Sequence, residues 1–124
     1  MPVEIGEPLA ERGYFLAPDG KVTIRVGQPF TPPDHPRESW CPYQVEGLGD
    51  DRVRRAIGID HFQSIWLAMQ MIGSTLYNSE QHRSGRLRFD LESQYPDLAL
   101  PVFEQDRHLV PPIPPRPDGH IDPQ

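Results

Sequence analysis

The sequence predicts an α+β fold: a curved antiparallel sheet of about five strands, in the order β-β-β-β-α-β, packed on one long helix. Three observations carry this. Residues 60–78 form the only long stretch with apolar residues at helical spacing. In residues 21–28, Val22, Ile24 and Val26 alternate with Lys21, Thr23 and Arg25, the period of a sheet with one buried face. The strand candidates before the helix follow one another closely, and consecutive strands joined by short turns pair antiparallel.

Each element has its own signal. Residues 9–17 read as a first strand, with Tyr14 and Leu16 on one face and Phe15 on the other. Pro18-Asp19-Gly20 reads as a tight turn, proline presetting φ and glycine accepting the left-handed position. Residues 21–28 follow as the second strand, and residues 29–39 are a loop rich in proline and charge. Residues 40–46 form a third strand: Cys41, Tyr43 and Val45 share one face, Trp40, Gln44 and Glu46 the other. Pro42 cannot donate to a ladder and suggests an edge or an irregular start. After a turn at residues 47–51, residues 52–59 read as a fourth strand. Its expected faces are Val53, Ile57 and Ile59 inward, Arg52, Arg54 and Ala56 outward, with Arg55 breaking the pattern. Residues 79–85 turn the chain, and residues 86–91 alternate as a short fifth strand. Leu98, Leu100, Val102 and Phe103 are candidates to cover the helix's exposed side.

The helix carries its own start signal. Asp60 is placed to accept from the free amides of the first turn, and Gln63, three residues on, can reach back. Phe62, Ile65, Trp66, Met69, Ile72, Gly73 and Leu76 form the expected apolar stripe, widened by Leu67, Ala68 and Met71. No charged residue occurs from Phe62 to Ser79. Gln, Ser and Thr interrupt the stretch too often for a membrane span. A helix this poor in charge calls for cover on more than one side.

The 124 residues suit one domain, read as residues 1–109, followed by a proline-rich flexible tail at 110–124. A net charge of -6 argues against general nucleic-acid binding, which needs positive charge to displace counterions. Cys41 is the only cysteine, so no internal disulfide exists. No basic segment followed by an apolar run opens the chain, which points to a cytoplasmic protein and no membrane anchor.

Several motifs together carry a resemblance: Cys41-Pro42-Tyr43-Gln44-Val45, Gly47-Leu48-Gly49, and Ala56-Ile57-Gly58-Ile59-Asp60 with Gln63. Asp19-Gly20, Val22-Thr23-Ile24, Gly27 and Pro29 fit it too. Over residues 12–76 the chain resembles an uncharacterised family of small bacterial proteins, a domain of unknown function. Similar proteins often have alanine after the glutamine, where this chain has Ser64. The resemblance implies the fold and brings no activity.

No constellation reaches a catalytic signature. His35, Cys41, His61, His82 and His108 have no metal-ligand spacing, so no metal or cofactor is expected. Cys41 sits on the inward face and reads as a small hydrophobe. Asp60 and His61 are adjacent in a helix and point apart. Gly47 and Gly49 precede a strand rather than a helix, so they read as a turn and not a phosphate loop. Arg52, Arg54 and Arg55 are expected to pair with Glu46, Asp50 and Asp51 across that turn; an anion or acidic-partner site is the sharper reading. Two functions follow. One is a non-enzymatic protein-interaction module of immunity or adaptor type, using Leu67, Met71, Arg52 and Arg54 as its surface and pairing as a homodimer or with another protein. The other is a small-ligand-binding protein or minor enzyme, with Tyr43, Arg55 and Asp60 lining a pocket on the concave sheet face.

Overall fold

The computed structural model describes residues 3–89 and 97–111. Four strands form an antiparallel meander: β1 (Ala10–Leu16), β2 (Gly20–Val26), β3 (Ser39–Glu46) and β4 (Arg54–Gly58). Helix α1 (His61–Tyr77) then crosses the sheet, and a short helix α2 (Glu80–Arg83) leads to β5 (Leu87–Arg88). β5 pairs with β1, giving the order β4-β3-β2-β1-β5. A 3-10 turn, Glu104–Leu109, closes the described chain. The fold is the α+β arrangement read from the sequence. The 3-10 turn and α2 carry no apolar period and were not legible. The last expected residues of the fifth strand, Asp90 and Leu91, lie outside the described residues.

The first hairpin turns through a cis Ala17–Pro18 bond, and Gly20 opens β2 without a left-handed φ. The turn that needs glycine is the one after β3. Gly47 has φ +112°, and a Cβ there would lie 2.5 Å from the Lys21 carbonyl oxygen.

The parity of β4 is the reverse of the expected one. β3 places Ser39, Cys41 and Tyr43 toward the helix, and these pair with Gly58, Ala56 and Arg54. Ala56 and Gly58 are therefore buried, while Ile57 and Ile59 are exposed. The reason is steric. α1 lies so close that a Cβ on Gly58 would sit 2.7 Å from the Ser64 amide nitrogen. No β-branched side chain fits in that gap, so the small residues of β4 face inward.

The helix stripe is rotated for the same reason. Ser64, Ala68, Ile72 and Leu76 are buried at a spacing of four, small residues first and large ones last. Phe62 and Trp66, expected in the core, are 88% and 52% exposed. Two polar residues take their place at the close contact: Ser39 Oγ lies 2.8 Å from Ser64 Oγ and 2.6 Å from His61 Nδ1.

The start of α1 is capped as its sequence indicates. Asp60 Oδ1 accepts from the Gln63 amide at 2.8 Å. Gln63 Oε1 accepts from the Ile59 amide at 2.7 Å, one residue before the cap rather than on it.

The chain's own segment 97–103 covers the second side of α1. It passes over Gly73, where a Cβ would meet the Pro101 carbonyl oxygen at 1.8 Å. Tyr77 Oη donates to Asp97 Oδ1 at 2.7 Å and accepts from the Leu98 amide at 2.9 Å. Tyr14 Oη and Arg12 Nη1 donate to the Leu98 carbonyl from the sheet side. Ser74 Oγ accepts from the Phe103 amide, and Gln70 Nε2 donates to the Val102 carbonyl. Leu98 is fully buried, and Leu100 and Val102 pack against the core. Val110 and Pro111 are half-buried; the rest of the expected tail lies outside the described residues.

The outer face of the sheet is covered where Trp40 lies. The residue is on the face opposite Cys41, as read, yet it is buried. Phe30 and Trp40 exchange backbone hydrogen bonds of 2.9 and 2.8 Å. The His35 ring lies 5.4 Å from the indole, and the Arg55 guanidinium stacks 4.1 Å above it. The charged loop thus serves as a lid on an aromatic residue, a role its composition does not announce.

Two substitutions test these contacts by urea denaturation. Gly73→Ala forces a methyl group into a backbone carbonyl and should cost about 2–3 kcal/mol. Asp60→Ala removes one cap and should cost about 1 kcal/mol. An unchanged midpoint in either variant would remove that contact from those holding the helix.

Candidate functional site

Two surfaces stand out among the described residues. The first surrounds the N-terminal half of α1. Phe62 and Trp66 are four residues apart and share a helix face. Ile59, 78% exposed, lies just before the cap. From Trp66 a groove continues along Leu100, Pro101, Val102 and Val110. Glu104 and Arg107 stand at its edge, 3.5 Å apart. Contiguous apolar surface rimmed by polar residues is the usual mark of a docking face.

The second surface is a pocket of about 530 Å³ between the β3–β4 turn and the C-terminal end of α1. Tyr43, Arg52 and Arg54 line it, with Val45 and Leu48 as its apolar part. Gln81 and Thr75 close the helical side. Asp50 holds both guanidinium groups: Arg52 donates through Nε and Nη2 at 2.9 and 2.8 Å, and Arg54 through Nη2. The Arg52 contacts, from side chain and backbone, hold the Asp50 carboxyl well below the usual carboxylate range. Burial pushes the Tyr43 phenol up, while the nearby Arg54 charge pulls it down.

The residues singled out in the sequence separate into several places. Tyr43, Arg52 and Arg54 come together in this pocket. Arg55 does not join them: it pairs with Pro42, on the opposite sheet face from Tyr43, and stacks on Trp40. Asp60 caps the helix and borders a separate hollow with Arg37, Glu38 and His61. Leu67 and Met71 are half-buried against their own core, so the exposed apolar side chains of α1 are Phe62 and Trp66 instead. Of the expected acidic partners of the arginine run, Asp50 pairs with Arg52 and Arg54. Glu46 pairs with Arg25, and Asp51 accepts from the Gly47 amide.

Ser39 and His61 have the contact of a nucleophile and a base; Ser39 is buried, and both residues border the hollow beside Asp60. Cys41 is fully buried beside the Gly27 carbonyl. Burial pushes its thiol up to about 11. Among the described residues, no three His, Cys, Asp or Glu side chains converge as a metal site. No helix among them is long and apolar enough to cross a membrane.

An antiparallel sheet carrying one helix is a small α+β domain. The chain belongs to the domain of unknown function DUF6968, whose family model matches residues 10–102. That match runs past the 12–76 stretch carrying the sequence resemblance and takes in the covering segment. No curated protein and no solved structure matches the chain.

The enclosed thiol has a measurable consequence. Against an ordinary value of 9.0, a thiol at about 11 holds about a hundredfold less thiolate at pH 8. Labelling of Cys41 by a thiol reagent at pH 8 should therefore be slower by about a hundredfold or more in the folded protein than in urea. Equal rates would show that the thiol is open to solvent and to chemistry.

Proposed function

We propose that this protein is a non-enzymatic interaction module that acts through the outer face of α1, and that the first occupant of that face is a second copy of the chain. The single observation that carries this reading is the exposure of Phe62 and Trp66 on one helical face. Charge favours a self-partner. The chain carries a net charge of -6, so most of its surface repels a copy of itself, whereas residues 62–79 bear no charge at all. Two helices meeting there bring no like charges together. A two-fold pair uses the same patch twice, which is the commonest assembly of soluble chains. An adaptor or immunity-type role would place a different protein on that face in exchange for the second copy.

Sedimentation at micromolar concentration tests the proposal. The wild-type chain should sediment as a dimer, and Phe62→Ser combined with Trp66→Ser should sediment as a monomer. Both side chains are exposed, so the variant should keep its melting temperature to within a few degrees, a change on the order of 0.5 kcal/mol. A wild-type monomer at every concentration, or a variant that still dimerises, would overturn it.

A further inference from the structure

We propose that the pocket between the β3–β4 turn and the C-terminal end of α1 binds a small organic anion, with an oxyanion head on Tyr43, Arg54 and Gln81 and an apolar body on Val45 and Leu48. The proposal stands apart from the interaction face, which lies at the other end of the helix.

Four observations support it. The Tyr43 side chain lines the pocket although the residue is only 6% exposed. Its hydroxyl has no hydrogen-bond partner among the described residues, unlike those of Tyr14 and Tyr77, which both reach the covering segment. The hydroxyl itself is open to the pocket, so a ligand can reach it. Second, the free polar side chains of the lining can each donate to an anion. The Gln81 amide has no side-chain partner among the described residues, and each guanidinium keeps N–H groups beyond those given to Asp50. The one carboxylate of the lining is already engaged, and its two aliphatic hydroxyls have no proton left to give. Asp50 is held by two arginines, while Thr75 and Ser79 donate their hydroxyls to the Met71 and Leu76 carbonyls.

Third, the local charge is positive on an acidic chain. Two arginines against one aspartate leave a single positive charge, which suits one oxyanion. Fourth, the size and lining suit a small molecule. About 530 Å³ lies within the usual range for ligand pockets. Leu48 is half-buried at the turn and gives a ring or short alkyl chain something to lie against.

The shared chemistry is a carboxylate or phosphate head on a small apolar body, and the probes separate the two. Benzoate, phenyl phosphate, inorganic phosphate and benzyl alcohol would each be titrated into ¹⁵N-labelled protein and followed by amide shifts. Benzoate or phenyl phosphate should shift the amides of residues 43–54 and 75–81, saturating at or below about 10 mM. The head preferred is the one that saturates at the lower concentration. Inorganic phosphate should bind more weakly, and benzyl alcohol should cause no comparable shift. Tyr43→Phe removes a hydroxyl that has no partner, so it should fold normally and weaken binding about tenfold. Arg54→Gln should weaken it by at least as much and flatten its salt dependence. No saturable shift with any anion would overturn the proposal. So would benzyl alcohol binding as well as benzoate, shifts confined to other residues, or unchanged affinity in both variants.

Discussion

The structure depends on one close approach. α1 comes down on the β3–β4 edge at Gly58 and Ser64, where no side chain larger than hydrogen fits on the strand. That contact fixes several other features. It sets which face of β4 is inward and makes Ser39 and Ser64 share a hydrogen bond. It also rotates the helix so that Ser64, Ala68, Ile72 and Leu76 point down. Because the small residues come first, the helix is close to the sheet at its start and farther away at its end. The larger Ile72, Leu76 and Tyr77 fill the wider end, and the 97–103 segment fills what remains.

This also explains what could and could not be read from the sequence. The strands up to β3 and the helix were legible because their periods are clear and their turns carry Pro, Asp and Gly. The Asp60 cap was legible because it depends only on local chemistry. β4 was misread because Ile57 and Ile59 were weighted above Ala56 and Gly58. Apolar alternation assumes that space is available for the larger set, and here the approaching helix leaves none. Phe62 and Trp66 were placed in the core by the same reasoning, since hydrophobicity reports the wish to be buried and not which neighbour is present. For the candidate site, Tyr43, Arg52 and Arg54 were legible as residues, but their association came only with the corrected parity of β4. Gln81 carries no sequence signal, because its place depends on where α2 turns.

The edges of the sheet bear on how the chain can associate. β4 is one edge, and it carries Arg54 and Arg55 in succession. Charges on an edge strand discourage pairing with another copy, since a two-fold pair would set like charges side by side. At the opposite edge, β5 has two residues among those described. Growth by strand addition is therefore disfavoured at β4. The uncharged helical face is where we propose that a second acidic chain approaches.

The helix also separates the two surfaces. Phe62 and Thr75 are thirteen residues apart on α1, which at the rise of an α-helix is about 20 Å. One end carries an apolar patch and the other a polar pocket with a positive charge, and the two share no side chain. Between them the helix is held by Gly73 under Pro101 and by the Tyr77–Asp97–Leu98 contacts, so it is clamped rather than free to rock. With no charge along residues 62–79, α1 carries no side-chain ion pair that a ligand at one end could break or reform. The packed segment 97–103 touches the helix on one side and Arg12 and Tyr14 of the sheet on the other. That segment also forms part of the groove beside Trp66, through Leu100, Pro101 and Val102. It therefore ties the helix to the sheet beside that groove, and its several hydrogen bonds make the tie stiff.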